Sequence, residues 1–184
     1  INKRRSARCN MSRFIMTINP QIQAIYISPS AGEPMQAINE AELIPGQGIR
    51  GDRYAKGVGA FSQNQPPKIR HISLIAQAGI AIANEWLESG EEPQFSDSET
   101  RRNVVLSNIS PDELNQLVGK TFLLGNIACR GTELCVPCQR PAQLMNKPSF
   151  MDAFEGRGGL RAEILQSGTI KIGDALTYMR ENAQ

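Results

Sequence analysis

Two cysteines three residues apart, Cys135 and Cys138, are the side chains of this sequence best suited to covalent or metal chemistry. Arg140 lies two residues after Cys138, where an extended backbone would direct both side chains to the same side. A nearby guanidinium favours the thiolate form of a cysteine, which is both a nucleophile and a soft metal ligand. We therefore predict Cys138 as the catalytic residue and metal ligand, with Arg140 beside it.

The same Cys-x-x-Cys spacing occurs in redox pairs and in zinc sites. A thioredoxin-like pair opens a helix within a β-α-β unit, whereas this pair follows a β-like run over 127–130 and precedes Pro141. Structural zinc requires four Cys or His ligands. Cys129 could add a third, but only Cys9 and the sole histidine, His71, remain. We expect no zinc, and we interpret Cys129, in an apolar run, as a buried and inert side chain.

Two further segments carry arginines that could hold an anion. In the first, strand-like alternation would place Arg101 and Asn103 on one face, and a guanidinium fork beside an amide suits a phosphorylated heterocycle. In the second, over 156–161, glycines let backbone N–H groups turn toward an anion while arginines add charge. Either segment could instead be a solvated turn or strand entrance. The candidate contacts of the second segment are Arg157, Gly158, Gly159 and Arg161.

A glycine-rich stretch over 46–51 matches the dinucleotide-binding fingerprint by letter but lacks its context. That motif needs a helix after it, so that the helix N-terminus meets the pyrophosphate, and residues 52–59 show no helical pattern. The stretch is predicted to be a turn that carries Asp52. The lysines stand in no motif that suggests a Schiff base, so pyridoxal phosphate is not expected on this chain.

Short strands must position most of these residues. Runs rich in β-branched residues and bounded by Pro, Gly and Ser predict strands over 22–27, 69–75, 104–106, 121–124, 127–130, 162–165 and 169–172. Many short strands with few helices favour a mainly β fold, with the sheet closed or nearly closed into a barrel.

Two helices interrupt the predicted strands. Residues 76–88 show helical spacing, with Gly79, Ile82 and Trp86 on one face. A second helix begins at Ser110, whose spacing from Glu113 predicts a capping box, and it ends at the glycine at position 119. The polar segment 90–100 is predicted to be an exposed loop.

Charge is concentrated at the amino terminus. Residues 1–13 hold five basic and no acidic residues, and the rest of the chain holds 15 basic and 18 acidic residues. We interpret 1–15 as a basic leader or start-site extension, 16–180 as one domain and 181–184 as a tail. The main body shows no basic face for nucleic acid. No apolar run reaches the ~18 residues of a membrane span, so we expect a cytoplasmic protein without a membrane segment.

Seven segments in register resemble the MOSC family, named for the C-terminal domain of molybdenum cofactor sulfurase. They are GIRGDRY (48–54), RHISLI (70–75), RRNVV (101–105), LVGKTF (117–122), PC (137–138), GGLRAEI (158–164) and IKIGD (170–174). The resemblance spans roughly 22–178. It implies a predominantly β fold with a distorted closed barrel of MOSC type.

The resemblance also implies roles for individual residues. In metal-containing relatives such as the mitochondrial amidoxime-reducing component, the cysteine that matches Cys138 ligates molybdenum. Their Arg-x-Asn pair, which matches Arg101 and Asn103, contacts the pterin cofactor. Asp52 and Arg53 of the matched glycine-rich segment join the candidate cofactor contacts.

Three functions remain open from the sequence. The leading hypothesis is an enzyme that binds a molybdenum-pterin cofactor through Cys138 and reduces N-hydroxylated small molecules, or transfers oxygen or sulfur, with a reductase partner. The second is a sulfur carrier in which Cys138 accepts a persulfide from a pyridoxal-phosphate-dependent desulfurase. The third is a non-catalytic cofactor-binding module.

Overall fold

Short strands dominate the chain, as the β-branched runs predict. The computed structural model describes residues 19–87 and 92–178. The predicted basic leader, Cys9 and the tail lie outside these residues. The strands of the described residues are β1 (Gln21–Ile27), β2 (Gln36–Ile38), β3 (Glu40–Ile44), β4 (Gly48–Ile49), β5 (Ile72–Ala76), β6 (Val104–Ser107), β7 (Thr121–Leu124), β8 (Ile127–Leu134), β9 (Leu160–Ile164), β10 (Gly168–Lys171) and β11 (Leu176–Tyr178).

Four short helices accompany the strands in the described part of the chain. They are α1 (Gln77–Leu87), α2 (Pro111–Asn115), α3 (Gln139–Met145) and α4 (Phe150–Ala153), with a 3-10 turn at Ser98–Thr100. The predicted capping box of α2 is present. The Ser110 hydroxyl accepts from the Glu113 N–H at 3.2 Å, and the Glu113 carboxylate accepts from the Ser110 N–H at 3.1 Å. No helix within the described ranges is both long and apolar enough to cross a membrane.

Eight strands form one curled sheet in the order β11-β7-β8-β9-β5-β6-β1-β2, and β10, β3 and β4 form a smaller one. Among the described strands of the large sheet, only β5 and β6 form a parallel pair, and α1 lies in the crossover between them. The mainly β fold is confirmed, but the predicted closure is not. The large sheet has β2 and β11 as its edge strands, and these two strands do not pair with each other. The start of β1 contacts the segment before β11 through an isolated bridge between Gln21 and Ala175.

Two hydrophobic clusters pack on opposite faces of β5 and β6. Leu74 and Val104 point into the curled sheet, whereas Ile75 and Val105 face a second layer built from α1, α4 and the segment before the 3-10 turn. Strands that are apolar on both faces are typical of positions covered from both sides. This double packing fixes the start of β5 and β6, next to which the candidate site lies.

The predicted apolar face of α1 is wrong. Gly79 is buried as that face requires, but Ile82 and Trp86 are 41% and 50% exposed, and the other residues that face the core are Ile80, Ala83 and Leu87. Both sets satisfy helical spacing, so the spacing alone does not select between them. The choice is made by three aromatic side chains from other segments, which pack on the buried face: Phe95, Phe150 and Phe154.

Candidate functional site

A cleft at one end of the large sheet collects the chemistry-bearing side chains. Segments that precede β5 and β6, follow β1 and β8, or begin β9 contribute its walls. Of the residues that the structure describes, both Cys135 and Cys138 line it, with six arginines and no Asp or Glu. The six are Arg53, Arg70, Arg101, Arg102, Arg140 and Arg161. A cleft with this lining is strongly electropositive and suits an anionic ligand.

The two cysteines differ in their environments. Cys135 is 2% exposed, and its backbone N–H donates to the Gly159 carbonyl oxygen at 2.8 Å, so it is tied to the start of β9. Cys138 is partly exposed and has an extended backbone at the residue that precedes α3. Arg140 follows in the first turn of that helix and lines the same cleft. Cys138 is therefore the cysteine better placed to meet a ligand.

Three arginines form one group in the cleft, around Arg101. Burial, and then the nearby charges of Arg53 and Arg140, lower the pKa of Arg101 to about 10. Its backbone has a left-handed conformation with φ 59°, and its guanidinium donates to the Glu33 carbonyl oxygen at 3.0 Å. Clustered, partly buried cations are costly unless an anion compensates them. The group is therefore a candidate phosphate-binding position.

Asp52 holds one member of this arginine group, Arg53, in position. The Asp52 carboxylate, 2% exposed, accepts from the Arg53 guanidinium at 3.1 Å, from the Ser28 N–H at 3.0 Å and from the Tyr54 N–H at 3.1 Å. It lies behind the cleft wall rather than in the lining. Its position fixes the Arg53 side chain, which also donates to the Arg101 carbonyl oxygen at 3.4 Å.

Asn103 lines the cleft, but its amide is fully engaged with the protein. Its oxygen accepts from the Ser73 N–H at 3.1 Å and from the Ser73 hydroxyl at 2.9 Å. Its nitrogen donates to the Tyr26 carbonyl oxygen at 3.1 Å and to Asp52 at 3.4 Å. Asn103 thereby joins β1, β5 and β6 next to Arg101 and Arg53.

A second group of side chains, missed by the sequence interpretation as candidate contacts, lies around Arg70. The Arg70 guanidinium is 5.0 Å from the ring centroid of Phe61 and 5.9 Å from that of Tyr54. Arg161, which was predicted, lies close enough to help lower the pKa of Arg70, although burial is the larger cause. Tyr54 and Phe61 come from a turn-rich segment with no periodicity, so no local pattern indicates their role.

The segment 156–161 contributes less of the cleft than predicted. Arg161 lines the cleft, whereas Arg157, Gly158 and Gly159 do not. The Arg157 guanidinium turns toward α4 and donates to the Ala153 carbonyl oxygen. The two glycines allow close packing of backbone on backbone. A Cβ atom at Gly158 would lie 2.1 Å from the Cys135 carbonyl oxygen, and one at Gly159 would lie 2.1 Å from that of Leu74.

We expect Gly159→Ala to lower the free energy of unfolding by about 2–5 kcal/mol, since it combines backbone strain with overpacking. Gly159 has a φ of +97°, and a Cβ atom at this position would clash with the backbone oxygen of Leu74. Gly156→Ala is the matched control in the same segment. Its φ is +70° but no atom lies within 4 Å of the added Cβ, so the loss should be about 1–2 kcal/mol. Urea unfolding of both variants measures the difference, and equal losses would contradict the packing role.

His71 and Cys129 have structural surroundings. The Nδ1 atom of His71 accepts from the Ile164 N–H at 3.1 Å, and burial lowers the pKa of the imidazole. His71 is not among the residues that line the cleft. Cys129 is fully buried, as predicted, and burial raises the pKa of its thiol to about 12. Within the described residues, no three His, Cys, Asp or Glu side chains converge to hold a metal ion.

Comparison with known proteins places this geometry in a family. Residues 67–177 match the model of the MOSC domain. The chain belongs to the MOSC family. The matched range contains Arg70, the Arg101–Asn103 segment, both cleft cysteines and the start of β9, whereas Asp52 and Arg53 precede it.

Solved structures of other proteins share the fold. YuaD from Bacillus subtilis has a TM-score of 0.72 at 16% identity, covering 88% of this chain and 98% of that one. YiiM from Geobacillus stearothermophilus has a TM-score of 0.62 at 16% identity, covering 88% and 75%. YiiM from Escherichia coli has a TM-score of 0.60 at 12% identity, covering 90% and 71%. A search of curated sequences finds no significant match. At these identities, the similarity concerns the fold.

Proposed function

We propose that this MOSC protein binds a molybdenum-pterin cofactor, with the Cys138 thiolate as the metal ligand and the group of Arg53, Arg101 and Arg140 holding the cofactor phosphate. The observation that carries the proposal is the lining of the cleft. Six arginines line the cleft together with Cys138, and no acidic side chain of the described residues lines it. Two of the six, Arg53 and Arg161, are paired with Asp52 and Glu133 behind the wall, which leaves Arg101 and Arg140 without an acidic partner among the described residues.

The residues present suit this cofactor chemically. A thiolate is a soft ligand of the kind that thiophilic metals select, and Cys138 is partly exposed in the cleft. Asp52 pairs with Arg53 alone in the described part of the chain, so a phosphate ester offers a counter-charge to Arg101 and Arg140. Guanidinium groups bind phosphate through paired hydrogen bonds. Arg102 has a structural role. Its guanidinium donates to the carbonyl oxygens of Gly158 at 2.7 Å and Thr100 at 3.1 Å, so it fastens the two cleft segments together.

The proposed reaction is the reduction of an N-hydroxylated small molecule. The N–O bond breaks, two electrons and two protons are taken up, and the oxygen leaves as water. A reductase partner would supply the electrons. When bound, the molybdenum centre supplies the two-electron chemistry, and the protein binds the cofactor, orients it and tunes its charge. Asp52 and Asn103 act as positioning residues, because they hold Arg53 and the ends of three strands.

Arg101→Gln tests the proposal. We expect this variant, purified from cells supplied with molybdate, to retain about tenfold less molybdenum than wild type, because it loses charge-assisted hydrogen bonds to the phosphate. Arg130→Gln is the control, since Arg130 is an exposed arginine outside the cleft that pairs with Glu163 at 2.5 Å. Elemental analysis provides the measurement. Equal molybdenum in both variants, or none in wild type, would contradict the cofactor assignment.

A sulfur carrier is the second candidate function, favoured by the presence of Cys135 in the same cleft. In that reaction the Cys138 thiolate would attack the terminal sulfur of a desulfurase persulfide. A persulfide would form on Cys138, and the desulfurase thiolate would leave. Cys135 could later attack the inner sulfur of this persulfide, which would release the outer sulfur as hydrosulfide and leave a disulfide.

A further inference from the structure

We propose that Arg70 forms a second anion-binding position in the cleft, which binds a carboxylate group of the substrate. That the bound molecule is a substrate rests on the proposed function, whereas the binding position itself rests on the geometry around Arg70. The guanidinium of Arg70 is partly buried and lies near two aromatic rings. No acidic side chain of the described residues forms an ion pair with it.

The surroundings of Arg70 leave its hydrogen-bond donors unused. No hydrogen bond joins its guanidinium to another group of the described residues, although a guanidinium carries five N–H donors. The nearby acid is Glu133, and its carboxylate is already bonded by Lys68 at 2.7 Å and by Arg161. Burial and the neighbouring Arg161 lower the pKa of Arg70, so both disfavour its charged form. An anion bound to the guanidinium would favour the charged form.

Arg70 is separate from the group proposed to hold the cofactor phosphate. The neighbouring cations that lower the pKa of Arg101 are Arg53 and Arg140, whereas the neighbouring cation that lowers the pKa of Arg70 is Arg161. Tyr54 lies next to both groups, since its ring centroid is 5.0 Å from the Arg53 guanidinium and 5.9 Å from that of Arg70. We expect a phosphate at the first group to leave the donors of Arg70 available for a different anion.

The shape and lining of this position favour a carboxylate on an apolar body. The planar guanidinium fork matches the two oxygens of a carboxylate. The rings of Tyr54 and Phe61 offer apolar surface beside it, and Val136, which is 75% exposed, also lines the cleft. A small molecule with an aromatic or aliphatic body and one carboxylate satisfies both parts of the position.

Benzoate and its neutral counterpart benzamide test the proposal by calorimetric titration of the purified full chain. We expect benzoate to bind wild type and to bind Arg70→Gln about tenfold or more weakly, because one charged bidentate partner is lost. Benzamide should bind weakly to both. Arg50→Gln serves as the control variant, since Arg50 is an exposed arginine that pairs with Glu42 outside the cleft and should leave benzoate binding unchanged.

Further readouts separate this site from the cofactor site and from misfolding. Arg70→Lys keeps the charge and loses the fork, so its benzoate affinity should fall between those of wild type and Arg70→Gln. Thermal unfolding checks that each variant is folded. Arg70→Gln should keep the molybdenum content of wild type. The proposal is overturned if wild type does not prefer benzoate over benzamide, if Arg70→Gln binds benzoate normally, or if it loses the metal. If wild type holds no molybdenum but its benzoate binding requires Arg70, the proposed function fails and the anion position stands.

Discussion

Cys138→Ala is expected to purify without molybdenum and without turnover, whereas Cys135→Ala should keep the metal content of wild type. The reason is the difference in exposure between the two thiols in one cleft. Cys138 is partly exposed next to Arg140, whereas Cys135 is 2% exposed and its backbone is tied to β9. A thiolate can ligate a metal only if the metal can reach it, so removing Cys138 should remove the soft ligand.

Elemental analysis of wild type and of both alanine variants measures this result, and intact-protein mass after incubation with a desulfurase provides the second readout. A wild type that carries no molybdenum but gains one sulfur atom, in a way that depends on Cys138, would favour the sulfur carrier. A wild type with neither would leave a binding module. If Cys135→Ala lost the metal and Cys138→Ala kept it, the assignment of the ligand would be wrong.

The sequence predicted the parts of the site that depend on local spacing. Cys138 and Arg140 lie two residues apart and line the same cleft. The extended backbone expected between them is wrong, since only Cys138 is extended and Arg140 lies in the first turn of α3. Arg101 was also found, but for a different reason from the one predicted. Its left-handed backbone, φ 59°, places it in the turn before β6, so strand alternation does not govern its direction. That Arg101 contacts a ligand stays a prediction, and its place in the cleft lining follows from the 3-10 turn that precedes it.

The parts that the sequence did not predict depend on contacts between distant segments. Arg70 becomes a candidate contact only because Tyr54 and Phe61, from a turn-rich loop, lie beside its guanidinium. Gly158 and Gly159 suggested an anion cradle because glycine is common where backbone approaches a ligand. The structure shows that the backbone approaching them is that of the protein itself, at Cys135 and Leu74. The same composition serves both purposes, so only the fold distinguishes them.

Asp52→Ala is expected to lower the free energy of unfolding by about 3–5 kcal/mol, the range for breaking a buried ion pair by removing one partner. Asp52 and Arg53 are 2% and 7% exposed, and their side chains are 3.1 Å apart. Without the carboxylate, the Arg53 guanidinium would remain buried near Arg101 with no counter-charge. The backbone N–H groups of Ser28 and Tyr54 would also lose their acceptor.

Glu42→Ala is the control for this prediction, because it removes the carboxylate of an exposed pair with Arg50. Exposed pairs contribute little to stability because solvent screens the two charges, so this variant should unfold close to wild type in urea. Asp52→Asn keeps an acceptor for the backbone N–H groups but not the charge, so it separates the two contributions. A loss in Asp52→Ala no larger than that in Glu42→Ala would mean that water or a shifted side chain replaces the carboxylate. Asp52 would then not be what holds Arg53 in the cleft wall, and another contact would have to position that arginine.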